Sequence, residues 1–129
     1  MSKALGSVCL MVNDYDEAIA YFTERLGFVL REDTKLEMGK RWVVVAPDTD
    51  RETGILLAKA TSPEQTLAIG NQCGGRVFLF LRTENFWRDF AFMKERGVKF
   101  HEEPRQEAYG MVAVFEDLYG NKWDLLGRS

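Results

Sequence analysis

Two stretches decide the fold: "GSVCLMVNDYDEAIAYFTERLGFVLRED", Gly6 to Asp33, and "GRVFLFLRTENFWRDFAFMKERGVKFHEEP", Gly75 to Pro104. They share one layout. Val8 aligns with Val77 and Leu10 with Leu79 at a common offset, and Gly27 aligns with Gly97 one position further along. Each stretch opens with a short run rich in Val, Leu and Phe, the composition of a buried strand. A helix follows in both. In the first, Asn13 or Asp14 can cap it, Ile19, Phe22 and Leu26 fall on one face, and Gly27 ends it. In the second, Thr83 or Asn85 can cap, Phe86, Phe90 and Met93 make the stripe, and Gly97 ends it. Aromatic residues at that spacing are read first as helix core.

Beyond each terminating glycine the chain reads as an extended segment and then a strand pair: "KRWVVVAP" with "GILLAKA", and "GMVAVFED" with "NKWDLLG". Asp117 to Asn121 has the composition of the turn between the last two strands. The order is therefore βαβββ, twice. We expect one domain over residues 1–129, with a first module over 1–60, a linker over 61–74 and a second module over 75–129. The linker, "TSPEQTLAIGNQCGG", holds a helix start at Ser62-Pro63 and a glycine-rich exit. A βαβββ unit is too small to cover its own sheet. The expected class is α+β: two units forming a curved, eight-stranded mixed sheet, a cup with helices outside and a concave ligand face. A ferredoxin-like barrel would read βαββαβ, and the doubled strand pair argues against it.

The composition narrows the partners. With 129 residues, 46% of them hydrophobic, the chain can bury roughly two-thirds of its unfolded surface without disulfides. Seventeen basic against 20 acidic residues and a net charge of -3 provide no basic excess for a phosphate backbone, so nucleic acid is not an expected partner. No apolar run approaches the roughly 20 residues that span a bilayer, and Met1 to Gly6 lacks the regions of a signal peptide. A cytoplasmic protein with no membrane partner is the expectation. Cys9 and Cys73 show no C-x-x-C spacing and are expected to be reduced.

"VNDYDEAIAYFTERLGF" and "MKERGVKF", "EEP", "YG" and "FEDLYGNKWDLL" resemble matching segments of the vicinal oxygen chelate superfamily, the glyoxalase, bleomycin-resistance and extradiol-dioxygenase group. The resemblance covers nearly the whole chain and implies the same cup and a homodimer. It is specific for fold and not for function, because this architecture hosts lyases, isomerases, dioxygenases and drug-binding proteins. Metal enzymes of the group place a His or Gln at the start of each repeat's first strand and a Glu in its last. Those positions fall here on Ser7, Arg76, the carboxylate-free run Ile55 to Ala58, and Asp124. Arginine has no lone pair to offer a metal, and one carboxylate is too few ligands. No metal or other cofactor is expected. The sole histidine, His101, stands away from every ligand position.

Asp124, a carboxylate in the apolar "KWDLL", must then be explained otherwise, because a buried carboxylate needs a partner or stays protonated. Strict alternation puts Ser7, Cys9 and Met11 on one face, Arg76, Phe78 and Phe80 on the matching face, and Lys122, Asp124 and Leu126 together. Arg76 and Asp124 either form a salt bridge replacing the metal, or stand apart to grip an anionic or hydrogen-bonding ligand. Arg105, Glu107 and Tyr109 alternate before the seventh strand, either bordering the pocket or forming a solvated hairpin. Arg41 and Trp42 flank a strand start, and Trp87 suits a packing or subunit contact. The ligand-binding candidates are Ser7, Arg41, Trp42, Arg76, Phe78, Phe80, Arg105 and Asp124; acid–base catalysis would fall to Glu107, Tyr109 or Asp124.

These residues point to a binder of a small organic molecule with a degenerate metal site. A first alternative is a divalent-metal lyase resembling lactoylglutathione lyase, with Glu107, Asp124 and Gln72 as unorthodox ligands. A second is a non-catalytic stress or scaffold protein whose cup is closed by side chains. Any catalysis would be glyoxalase-like lyase or dioxygenase-related chemistry, as the resemblance implies.

Overall fold

A computed structural model of the chain describes residues 2–48 and 53–129. The chain folds as two compact units, Met1–Ile69 and Gly70–Ser129. The first contains β1 (Ser7–Val12), α1 (Tyr15–Ala20), β2 (Val29–Lys35), β3 (Arg41–Ala46), β4 (Gly54–Lys59) and α2 (Pro63–Ala68). The second contains β5 (Val77–Thr83), α3 (Phe86–Glu95), β6 (Arg105–Glu107), β7 (Gly110–Glu116) and β8 (Lys122–Gly127). Each unit builds a four-stranded mixed sheet, ordered β1-β4-β3-β2 in one and β5-β8-β7-β6 in the other. The order is the same in both. The opening strand pairs in parallel with the last, and the remaining neighbours run antiparallel, so the sequence repeat is a structural repeat of α+β class.

The caps use the second of each pair of candidates. Asp14 Oδ2 accepts from the Glu17 amide at 2.9 Å, and Asn85 Oδ1 from the Arg88 amide at 3.1 Å. Ser62 caps α2 ahead of Pro63 in the same way. After Ala20 the first helix widens to a π-helical stretch, Tyr21–Arg25. Within it Thr23 Oγ1 donates to the Ile19 carbonyl at 2.8 Å, a contact that competes with the regular ladder. Gly27 (φ 75°) and Gly97 (φ 84°) end the two long helical segments in the left-handed region, where any Cβ would be strained.

In the first unit, Leu10, Val12, Val43, Val45 and Leu57 are fully buried with Ala18 and Phe22 of the helical segment. In the second, Phe86 and Met93 of α3 are buried with Phe115, Trp123 and Leu125. Phe115 and Trp123 are register partners on β7 and β8, and their rings stack at 5.7 Å. Each large apolar side chain so buried contributes about 1.5–3 kcal/mol against solvent exposure. The opposite face of each sheet is thereby left to carry chemistry.

Candidate functional site

In the second unit that face is set by the β5–β8 ladder, which pairs Val77 with Lys122 and Phe80 with Asp124. The register slips between Val77 and Leu79. Phe78 therefore sits at a bulge, where strict alternation is interrupted, and Val77 lines a cavity together with Phe80. On the neighbouring strand Val114 pairs with Asp124 and Glu116 with Lys122. The segment before β6 joins this edge through two backbone bonds, His101 N to the Val114 carbonyl (2.8 Å) and Glu116 N to the Lys99 carbonyl (3.0 Å).

These elements border an open cavity of about 580 Å³ lined by Gly75, Arg76, Val77, Phe80, His101, Glu102, Val114, Lys122 and Asp124. Asp124 Oδ1 is buried and has no hydrogen-bond partner among the described residues. Burial pushes its carboxyl above the ordinary 3.8; Arg105 pulls it down, and Glu102 adds to the rise. A buried acceptor with no donor, on a carboxylate that lines a cavity, is an incomplete interaction.

The expected Arg76–Asp124 salt bridge is not formed. Because Val77 stands opposite Lys122, Arg76 lies one residue beyond Lys122, roughly 10 Å along the strand direction from Asp124. Arg76 instead closes a turn, its amide donating to the Cys73 carbonyl at 3.2 Å, and its exposed side chain lines the cavity. Both groups therefore face one space without neutralising each other.

Glu102, Arg105 and His101 at the rim are engaged. Glu102 accepts from Arg105 Nε at 3.2 Å and from the Val114 amide at 3.1 Å, while Arg105 also contacts Glu107. His101 Nε2 lies 2.8 Å from Glu116 Oε1. Glu107 and Tyr109 do not line the Asp124 cavity. Tyr109, 63% exposed, borders a separate space of about 530 Å³ with Arg82 and Arg128. The three acid–base candidates are thus not gathered in one site. His101, Glu102 and Lys122, in contrast, line the site without having been singled out for it.

In the first unit, Ser7, Cys9 and Met11 share a face with their β4 partners Gly54, Leu56 and Ala58. Trp42 lies on β3, 43% exposed. Its neighbour Arg41 is an anchor of the hairpin: its guanidinium holds both oxygens of Asp33 at 3.1 and 2.7 Å, reaches Asp16 at 3.0 Å and lies 5.1 Å over the Tyr15 ring. The pairing raises the Arg41 pKa and lowers that of Asp33.

The donor set does not fit the metal that the fold family implies. The places for ligands hold Ser7, an unpaired arginine and, on β4, Leu56 and Ala58, leaving Asp124 alone. Among the described residues no three His, Cys, Asp or Glu side chains are grouped to hold an ion. A site with N, O or S ligands needs three or more.

The turn after β7 is a polar knot that composition alone did not reveal. Asp117, 3% exposed, accepts from the Tyr119 and Asn121 amides, from Asn121 Nδ2 and from Trp123 Nε1, all between 3.0 and 3.4 Å. Asn121 Oδ1 in turn accepts from the Gln72 amide at 3.0 Å. Burial raises the Asp117 pKa, and these donors oppose the rise. The knot fixes the entry of β8 and hence the height of Lys122 and Asp124. Its signal is the spacing of Asp117, Gly120, Asn121 and Trp123.

Residues 4–125 match the family model of the Glyoxalase/Bleomycin resistance protein/Dioxygenase superfamily. The chain belongs to this superfamily. An uncharacterized protein from Shewanella frigidimarina (strain NCIMB 400) is 54% identical over 127 residues, covering 98% of this chain and 94% of that protein. The crystal structure of UcmS2 is similar with a TM-score of 0.84 and 30% identity, covering 98% of each chain. That of TnmS3, an antibiotic binding protein from Streptomyces sp. CB03234, is similar with a TM-score of 0.77 and 29% identity, covering 99% of this chain and 98% of that one. No helix among the described residues is long and apolar enough to cross a membrane.

Proposed function

We propose that this superfamily member binds a small organic molecule, without a metal ion, in the Asp124 cavity of its second sheet. The observation that carries the reading is Asp124, a carboxylate that lines that cavity while its buried Oδ1 has no hydrogen-bond partner among the described residues. A ligand N–H or cationic nitrogen pairs with the Asp124 carboxylate from the cavity side, and the exposed ring of Phe80 beside it offers an apolar platform. The likeness to an antibiotic binding protein supports a binding role for this scaffold. A cytoplasmic homodimer is part of the proposal. The two free, exposed cysteines suit a reducing compartment, and Trp87, 46% exposed on α3, suits a subunit contact; sedimentation of the purified chain tests the assembly state.

The test is a thermal-shift panel of aromatic amines, alkaloids and antibiotics against the wild type and Asp124→Asn in chelator-containing buffer. Binding to the folded state must raise its stability. Hits are expected that disappear in Asp124→Asn although that variant folds. A panel with no hit, or hits indifferent to Asp124, would overturn the proposal. Stoichiometric transition metal in protein purified without chelator would favour the metal-dependent lyase instead.

A further inference from the structure

The Asp124 cavity carries more than one unmet charge. Lys122 stands two residues before Asp124 on β8, so the two side chains share a face roughly 7 Å apart along the strand. Its cross-strand partner is Glu116, whose carboxylate is already held by His101 at 2.8 Å and approached by Lys99 at 3.9 Å. Arg76, at the same end as Lys122, has no ion pair among the described residues. The remaining acid in the lining, Glu102, is taken by Arg105 and the Val114 amide. One end of the cavity therefore presents Arg76 and Lys122, neither in an ion pair among the described residues, and the other presents the Asp124 carboxylate. The space between them runs past the Phe80 ring, 65% exposed.

We infer that the ligand of this cavity is bipolar: an aromatic or other flat molecule with a protonated amine or strong donor at one end and a carboxylate or comparable acid at the other. The amine meets Asp124, the acid meets Arg76 and Lys122, and the flat middle lies on Phe80. The inference rests on the proposed binding at Asp124 and adds the opposite pole. A ligand with only one charge leaves the other pole desolvated without compensation, so both poles contribute to selectivity. Arginine favours a planar acid because its guanidinium can donate two parallel bonds.

Isothermal titration with three matched probes tests this: para-aminomethylbenzoate, which carries both groups across one ring, and para-methylbenzylamine and para-methylbenzoate, which carry one each. The bipolar probe is expected to bind at least about tenfold more tightly than the better single-charge probe. In Asp124→Asn its advantage over para-methylbenzoate should vanish, and in the double variant Arg76→Gln/Lys122→Gln its advantage over para-methylbenzylamine should vanish. Equal affinity for the bipolar probe and the amine, or an undiminished advantage in the double variant, would overturn the second pole and leave the Asp124 reading intact. Failure of the bipolar probe to bind at all would overturn the inference, while the broader panel judges Asp124 separately.

Discussion

Phe80 and Asp124 are direct partners across the parallel β5–β8 ladder, one with its ring 65% exposed and the other with a buried, donorless oxygen. A strand face that only supported packing would bury the ring and pair the carboxylate. Here both departures fall on one register pair, beside one cavity. Sites that trade stability for binding have this character.

Asp124→Asn should therefore stabilise the free protein by at most about 1 kcal/mol at neutral pH, since it removes the charge of a half-buried carboxylate whose Oδ1 has no donor. The pH dependence follows from the raised carboxyl. The unfolded chain ionises Asp124 near 3.8 and the folded chain only at a higher pH, so the wild type loses stability as pH rises between those two values. Glu102, Lys122, Arg76 and His101 line the same space in both proteins, and Arg105 acts on position 124 by its charge. The stability difference between variant and wild type should be absent below the lower value and full above the upper one, as read from urea midpoints across pH. A variant less stable than wild type at neutral pH would contradict an unmet charge.

Asp117→Asn should do the reverse. Whichever way the amide is placed, its NH2 faces donors that the carboxylate now accepts, from the backbone and Asn121 on one side or Asn121 and Trp123 on the other. Thermal or urea unfolding should show a loss of about 1–3 kcal/mol. A neutral outcome would mean that the turn does not position β8. Both acids have raised pKa values from burial, yet their substitutions should act in opposite directions because one has donors and the other has none.

Phe80→Ala should leave stability nearly unchanged, because its exposed ring contributes little to the core. The same change should weaken any ligand held at Asp124 by about tenfold, a loss of roughly 1.4 kcal/mol of aromatic contact. Unaltered affinity would place the ligand elsewhere.

Arg41→Met should lower stability by about 0.5–1 kcal/mol by dissolving the Asp33 and Asp16 pairs, which are partly solvated and screened. Affinity for ligands of the second sheet should not change. A selective loss of binding would return Arg41 to the site.

The repeated βαβββ succession of elements was legible from the sequence because two copies of the same apolar and glycine pattern constrain each other. Asp124 was legible because a lone carboxylate in "KWDLL" conflicts with its neighbours. What escaped were features created by pairing between distant segments. The bulge at Phe78 arises from the register of β5 on β8 and leaves the sequence alternation unbroken. His101 reaches the cavity only through backbone bonds to β7 and the isolated Phe100–Phe115 bridge. The carboxylates of Asp16 and Asp33 converge on Arg41 only when α1 and the β2–β3 hairpin have formed. The charge of a residue can be read from a sequence, but whether that charge is already answered cannot.

Ligand binding in the Asp124 cavity is proposed to need no metal ion. Titration calorimetry with the strongest hit of the panel, on protein exhaustively treated with chelator and on protein then supplied with zinc or nickel, tests it most directly. The predicted result is the same affinity in both preparations and its loss in Asp124→Asn. Binding that vanishes with the chelator and returns with the metal would contradict the claim.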